Sequence, residues 1–247
     1  MKERKKGKVY LVGAGPGDPE LITVKGLKLI RKADVIIYDF LVDRHLLDSA
    51  RKGAELICAG KSPSHHTMKQ DEINRLLAEK AMSGKTVVRL KNGDPYIFGR
   101  GAEESVHLVK QKIPFEVVSG VSSAAAVPAS AGVPLTHRDY ASSLAIITGH
   151  RREDGEVRIV NADTLVFLMP VANLERIVQK LIEAGRNTET PCALIEKGTY
   201  LDQKVVQGCL ANIVAKSKED NIKPPAVFVV GEVVNLRDSL KLAAAME

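Results

Sequence analysis

The first half of the chain alternates short β-branched runs with longer amphipathic stretches, the pattern of βαβ units that build a parallel sheet. Val9 to Gly13 reads as the first strand. Asp18 followed by Pro19 reads as N-cap and first residue of a helix ending near Lys32, with Leu21, Val24 and Leu27 beside Ile22, Leu29 and Ile30 as its apolar face. Further strands are expected at residues 35–38, 55–58, 86–90 and 115–118, with helices at 43–50, 69–83 and 101–112.

At Gly120 the character changes to small residues and turn formers, through Val121-Ser122-Ser123-Ala124-Ala125-Ala126-Val127-Pro128 to Gly132-Val133-Pro134. The domain junction is placed here, giving an N-terminal α/β domain over residues 1–118 and a second α/β domain over 119–247. A new set of strands follows at 143–148, 164–169, 192–196, 204–207 and 226–230, with helices near 173–184, 210–216 and 235–244. Too few residues separate the third and fourth of these strands for a crossover helix. That pair is therefore expected to be antiparallel and the second sheet mixed.

Composition narrows the function only a little. With 45% hydrophobic and 27% charged side chains over 247 residues, the chain is ordinary globular material with room for a real core. Lys and Arg outnumber Asp and Glu by 36 to 30, a net +6 that suits anionic ligands, nucleic acid or an acidic surface. Aromatics at 4% and no Trp argue against base stacking. The basic run Lys2, Arg4, Lys5, Lys6 and Lys8 reads as a solvated terminus. The apolar stretch after it is too short for a signal peptide or a spanning helix, so a cytoplasmic location is expected. Cys58, Cys192 and Cys209 are far apart and flanked by apolar residues, which reads as buried free thiols. The adjacent pair His65-His66 lacks ligand spacing, so no metal is expected.

The candidate chemistry lies in loops that follow strand ends, where open α/β sheets bind ligands. Gly13-Ala14-Gly15-Pro16-Gly17-Asp18 superficially matches the dinucleotide fingerprint G-x-G-x-x-G, with Asp39 at the end of the second strand in the place of a ribose-binding acid. Three details oppose a nucleotide. Pro16 lacks a backbone donor, Asp18 replaces the third glycine, and its carboxylate takes the positive helix end that a pyrophosphate needs. A second loop runs from Arg89 through Asn92-Gly93-Asp94-Pro95 to Gly99-Arg100-Gly101 and Glu104, with the Arg100 guanidinium available to a carboxylate. A third, Ser119-Gly120-Val121-Ser122-Ser123, offers hydroxyls and amides at a helix start.

Taken in order, these residues resemble the tetrapyrrole methylase superfamily. The resemblance runs from about residue 8 to 238. It rests on Val12 through Thr23, Tyr38-Asp39 with Leu41-Val42, Gly60-Lys61, the segment from Arg89 to Glu104, Gly132-Val133-Pro134-Leu135-Thr136-His137-Arg138, and Pro225-Ala226 with Val230-Gly231-Glu232-Val233-Val234. It implies two α/β domains with the active site in the cleft between them, a homodimer, and S-adenosylmethionine as co-substrate. The branch it points to methylates uroporphyrinogen III twice, giving precorrin-2 on the way to sirohaem or cobalamin. The implied donor contacts are Pro16, Asn92, Gly93, Asp94, Ile97, Ser122, Ser123, Met169, Gly198 and Ala226. Asp39 is implied as proton acceptor and Lys61 as proton donor, with Arg100, His137 and Arg138 binding the acid side chains of the tetrapyrrole. Two departures stand out, since the family usually has Gly in place of Asn92 and of Pro170.

The sulfonium methyl of S-adenosylmethionine is already electrophilic and a porphyrinogen carbon is an enamine-like nucleophile, so positioning is expected to supply most of the acceleration. Competing readings are a superfamily member acting on a later corrinoid precursor, a related ribosomal-RNA methyltransferase, a nicotinamide-dependent oxidoreductase, and a non-catalytic tetrapyrrole or adenosyl-ligand binding module. Tyr38-Asp39, Gly60-Lys61 and Leu135-Thr136-His137-Arg138 speak against the first, and the altered glycine loop speaks against the oxidoreductase.

Overall fold

In a computed structural model the chain divides into two compact units, Met1–Ser122 and Ser123–Glu247. The structure describes residues 6–60, 68–149 and 157–244, the last four by backbone alone. In the first unit, β1 (Val9–Gly13), β2 (Val35–Tyr38), β3 (Glu55–Cys58), β4 (Val87–Lys91) and β5 (Phe115–Val118) form one sheet in the order β3-β2-β4-β1-β5, every pair parallel.

A parallel sheet is covered on both faces, so its central strands carry apolar residues at consecutive positions. Val9, Leu11, Val35, Ile37 and Val87 pack with Ile73 and Leu77 of α2 (Gln70–Met82) and Leu108 of α3 (Gly101–Lys110). The alternate residues Val12, Ile36, Val88 and Leu90 pack on the other face with Ile30 of α1 (Val24–Ile30).

The helix expected after Asp18 is broken. Asp18 accepts a hydrogen bond from the Glu20 amide at 2.8 Å, but it caps only a 3-10 turn, Pro19–Leu21. Thr23 is extended and restarts the chain as a second N-cap, its hydroxyl accepting from the Gly26 amide at 3.1 Å, and α1 begins only at Val24. Residues 43–50 likewise form a 3-10 helix, Arg44–Ser49, rather than an α-helix. Of the basic run, Lys2, Arg4 and Lys5 lie outside the described residues, while Lys6 and Lys8 are tied down. Lys8 pairs with Glu116 at 2.7 Å, and Lys6 donates to the carbonyls of Gln111 and Lys112.

The second unit opens with α4 (Ser123–Ser130), a short helix of mainly small residues containing Pro128, which begins where Ser122-Ser123 read as a helix start. Its sheet contains β6 (Leu144–Thr148), β7 (Thr164–Leu168), β8 (Pro191–Glu196), β9 (Lys204–Cys209) and β10 (Ala226–Val230), in the order β6-β7-β10-β8-β9. β6 and β7 are parallel and the other pairs antiparallel, including β8 with β9 as their spacing requires. α5 (Leu174–Glu183) and α6 (Ile213–Glu219) cover one face through Leu174, Ile177, Leu181 and Ile213, while α4 covers the other through Ala124 and Val127. The last described element is α7 (Leu236–Ala244).

Cys192 is buried as expected, and burial pushes its thiol far above the ordinary range. Cys58 and Cys209 are only half-buried, a correction to the expectation of three core thiols. Among the described residues no group of three or more His, Cys, Asp or Glu is arranged to hold a metal, and His65-His66 lies outside them. No described helix is long and apolar enough to cross a membrane.

One exposed clasp ties the start of β6 to the start of β7. The Asp163 carboxylate accepts from the amides and hydroxyls of both Ser142 and Ser143, at 2.8–3.0 Å, and these bonds hold it down to about 2. A carboxyl depressed in the folded state stabilises the fold above its unfolded range, and that contribution fades as pH falls toward 2. Asp163→Ala is therefore expected to lower the melting temperature at pH 6, with the gap from wild type closing between pH 4 and pH 2. A gap independent of pH would show that the clasp's charge contributes nothing.

Candidate active site

All five strands of the first sheet point their carboxyl ends the same way, so the loops after β1, β2, β4 and β5 meet at one edge. There the backbone itself is packed on backbone. Gly15 and Gly93 form an isolated antiparallel bridge, with Gly15 N–H donating to the Gly93 carbonyl at 3.2 Å and Gly93 N–H returning to Gly15 at 2.9 Å. A Cβ on Gly13 would lie 2.6 Å from the Gly93 carbonyl oxygen, and one on Gly120 would press into the same oxygen and into Gly13. The glycines thus let three loops close on one another, a more local requirement than an open cradle for a ligand.

Asp94 fastens this junction. Its Oδ1 accepts from the Tyr96 amide at 2.8 Å and its Oδ2 from the Gly120 amide at 3.1 Å, joining the β4 and β5 loops. Asn92 is half-buried and its φ is not positive, so a side chain in place of the family's usual Gly carries no backbone strain. Tyr96, Ile97 and Phe98 stand exposed just beyond. Arg100 follows in the left-handed region at φ 59 and caps α3, with its guanidinium forked onto Glu103 at 2.9 and 2.7 Å.

Below the junction lies a buried ionic cluster. Arg89 and Lys91 alternate along β4 on the face covered by α2 and α3, each only 2% exposed. Arg89 donates through Nε to Glu104 Oε1 at 3.0 Å and through Nη2 to Asp39 Oδ1, and Lys91 Nζ lies 3.0 Å from Glu104 Oε1 and 3.9 Å from Asp39 Oδ2. Glu104 is fully buried, whereas the Asp39 side chain is 33% exposed. Asp39 is therefore the end of the cluster that solvent reaches. Burial opposes the charge on Arg89, but Asp39 and then Glu104 outweigh it and hold the guanidinium more firmly protonated than usual. For Lys91 burial wins, helped by the like charge of Arg89, and its ammonium sits below the ordinary range.

Comparison with known proteins places this arrangement. Residues 8–214 match the family model for tetrapyrrole (corrin/porphyrin) methylases. The chain is a tetrapyrrole methylase. A uroporphyrinogen-III C-methyltransferase of Methanocaldococcus jannaschii is 54% identical, covering 94% of this chain and 99% of that protein. One of the same name from Priestia megaterium is 51% identical over 93% of this chain and 99% of its own length. The crystal structure of the Thermus thermophilus uroporphyrin-III C-methyltransferase complexed with S-adenyl homocysteine superposes with a TM-score of 0.81 at 39% identity, covering 93% of this chain and all of that one.

Within this tetrapyrrole methylase the candidate residues fall in both units. Pro16, Asp39, Asn92, Gly93, Asp94, Ile97, Arg100 and Ser122 belong to the first, where the strand-end loops gather the first five of them at one edge. Ser123, Met169, Gly198, Ala226, His137 and Arg138 belong to the second. Register gathers three of these as well. Ala226 pairs with Glu196 and Val227 with Leu168, so Met169, Gly198 and Ala226 share one end of the strands β7, β10 and β8. Met169 lies at φ 56 and is half exposed, and Pro170 follows at φ −79, a value proline adopts freely. Gly198 faces Val127 of α4 so closely that no Cβ fits. His137 bridges Ala141 and accepts from the Asp139 amide at 3.2 Å, with Arg138 exposed beside it. Lys61 lies outside the described residues.

The sequence reading did not single out Lys91, Glu104 or Gln70, whose amide donates to Glu104 at 3.3 Å. A signal was present. Val87, Arg89 and Lys91 share one face of a strand in a sheet read as parallel, where both faces are covered and two cations demand buried partners.

The glycine junction yields a direct test. Gly120→Ala is expected to destabilise the fold by about 1–3 kcal/mol, because the added methyl has only backbone to displace. Urea unfolding measures this, and a wild-type midpoint would show that the loops part easily.

Proposed function

We propose that this tetrapyrrole methylase transfers two methyl groups from S-adenosylmethionine to carbon atoms of uroporphyrinogen III, forming precorrin-2 for sirohaem or cobalamin synthesis. The observation that carries this reading is end-to-end similarity, 54% over 99% of a relative bearing that activity in its name. The site chemistry agrees with it. Asp18 caps the short 3-10 turn after the glycine loop, and its carboxylate there disfavours a phosphate-bearing cofactor and is compatible with a sulfonium. The exposed apolar side chains of Ile97 and Met169 and the amide of Asn92 suit an adenosyl group. On this reading Pro16, Asn92, Gly93, Asp94, Ile97 and Ser122 of the first unit, and Ser123, Met169, Gly198 and Ala226 of the second, hold the donor.

S-adenosylmethionine supplies an electrophilic methyl group on sulfur. As the new carbon–carbon bond forms, the carbon–sulfur bond breaks and its electron pair stays on the thioether. The macrocycle is left one positive charge richer and must lose a proton. Asp39 is the proposed acceptor, since it is a carboxylate at the carboxyl edge of the sheet with solvent access and a fixed orientation. Lys61 is the proposed donor. Arg100, His137 and Arg138 are proposed to take the carboxylates of the tetrapyrrole, Arg100 by sharing or leaving Glu103. The same reading carries a homodimer, on the strength of the resemblance alone, and a cytoplasmic location, on the short apolar stretch that follows the basic run.

Incubation with uroporphyrinogen III and S-adenosylmethionine, followed by mass analysis, is expected to show two added methyl groups. No methylation of this or other tetrapyrroles would overturn the proposal. Asp39→Asn is expected to keep its affinity for S-adenosylhomocysteine in calorimetry while turnover falls by about two orders of magnitude, as for loss of a general base. Unchanged turnover would remove Asp39 from the chemistry.

A further inference from the structure

We propose that Glu104 and Lys91, joined through Arg89, are positioning residues that hold Asp39 in place and keep its surroundings electrically balanced, so that it can both accept and give up a proton. This deepens the reading of Asp39 as proton acceptor and rests on it. Three observations carry it. First, the four groups form one connected cluster with two positive and two negative charges, and both carboxylates bind the same guanidinium. Second, the cluster sits where stability does not ask for it. Apolar residues of similar volume commonly serve a buried site as well as an ion pair does, yet here charge is buried directly beneath a partly exposed carboxylate at the ligand edge of the sheet. Third, Glu104 is fully buried, Oε1 takes Arg89, Lys91 and Gln70, and Oε2 has no hydrogen-bond partner among the described residues. An anion held with one oxygen idle is held by the charges beside it.

The electrostatics follow from the neighbours. β4 contributes Arg89 and Lys91, and α3 contributes Glu104 with His107 one turn further on. α2 contributes the uncharged Gln70 and Asn74, bonded to each other at 3.0 Å, while its Asp71, Glu72 and Arg75 are exposed. Lys61, His65 and His66 lie outside the described residues. Without Glu104, two buried cations would face Asp39 alone. It would stay ionised but hold a proton poorly, and a weaker base removes a proton more slowly. Without Lys91, the two carboxylates would share one cation, and Asp39 would keep its proton to higher pH.

The test is the pH profile of turnover on uroporphyrinogen III for wild type, Glu104→Gln, Lys91→Met and the double variant, with Asp39→Asn as control. In Glu104→Gln the acidic limb is expected to move down by about one pH unit, with plateau turnover about tenfold lower. In Lys91→Met it is expected to move up by about the same amount. The double variant, which removes one charge of each sign, is expected to return the limb to its wild-type position. A loosened fold would lower all the plateaus without moving the limbs in opposite directions. If Glu104→Gln does not fold, the displacement in Lys91→Met and its reversal in the double variant decide the matter. Limbs fixed at the wild-type pH, with Asp39→Asn inactive, would overturn this inference and leave the role of Asp39 standing. An Asp39→Asn variant that turns over normally would overturn both.

Discussion

Arg89 and Lys91 impose the condition around which the first unit is arranged. They occupy alternate positions on β4, between β2 and β1, and so share the face that α2 and α3 cover. Toward the amino end of that face Val87 packs with Leu77 and Leu108 in ordinary apolar contact, and toward the carboxyl end the same face becomes ionic. Two cations in that position need two anions, because an isolated buried charge costs far more than a domain can spare. One anion comes from the next strand, Asp39 after β2, and the other from the first turn of α3, Glu104. The docking of α3, the uncharged Gln70 and Asn74 on α2, and the direction of Asp39 are all consequences of that pairing.

Immediately above this layer the sheet edge is sealed by glycine. Gly13, Gly93 and Gly120 bring the loops after β1, β4 and β5 into backbone contact, and Asp94 fastens two of them through both its oxygens. A rigid edge matters for methyl transfer, where most of the acceleration comes from alignment and a small displacement is expensive. Charge fixes the Asp39 side chain and tight packing fixes the loops around it. Neither device depends on the other's chemistry, which is why a side chain can stand at Asn92 without strain while Gly13 and Gly120 cannot accept a methyl group.

Much of this was legible from residues alone. The β-branched runs located the ten strands of the described residues to within two residues, and the spacing between β8 and β9 dictated their antiparallel pairing. The errors were local competitions. Apolar periodicity ran continuously through 21–30, but Thr23 satisfied the Gly26 amide from an extended backbone and divided the helix there. At α4 the helix start at Ser122-Ser123 was legible but the extent of the helix was not, because small residues and Pro128 also suit turns, yet Ala124 and Val127 had a sheet to pack on. Arg89 was visible only as a strand-end charge because its partners are 15 and 50 residues away. Periodicity reports which face is buried and is silent about which distant carboxylate makes burial of a cation tolerable.

The second unit presents its candidates by a different route. β10 runs antiparallel to both β7 and β8, so one end of these three strands collects two strand exits and one strand start. The exits are strained in a particular way, since Met169, Lys197 and Thr199 all have positive φ at 56, 48 and 73°. For residues other than glycine such conformations are sparsely populated, cost on the order of 1 kcal/mol or more each, and concentrate at functional positions. Left-handed residues at two neighbouring strand exits turn the backbone sharply, and Gly198 between Lys197 and Thr199 is pressed against Val127 with no room for a side chain. The first unit thus specifies its edge with side-chain charge and glycine packing, and the second with left-handed backbone at its strand exits. Substitutions that preserve charge but not shape should therefore be tolerated differently in the two.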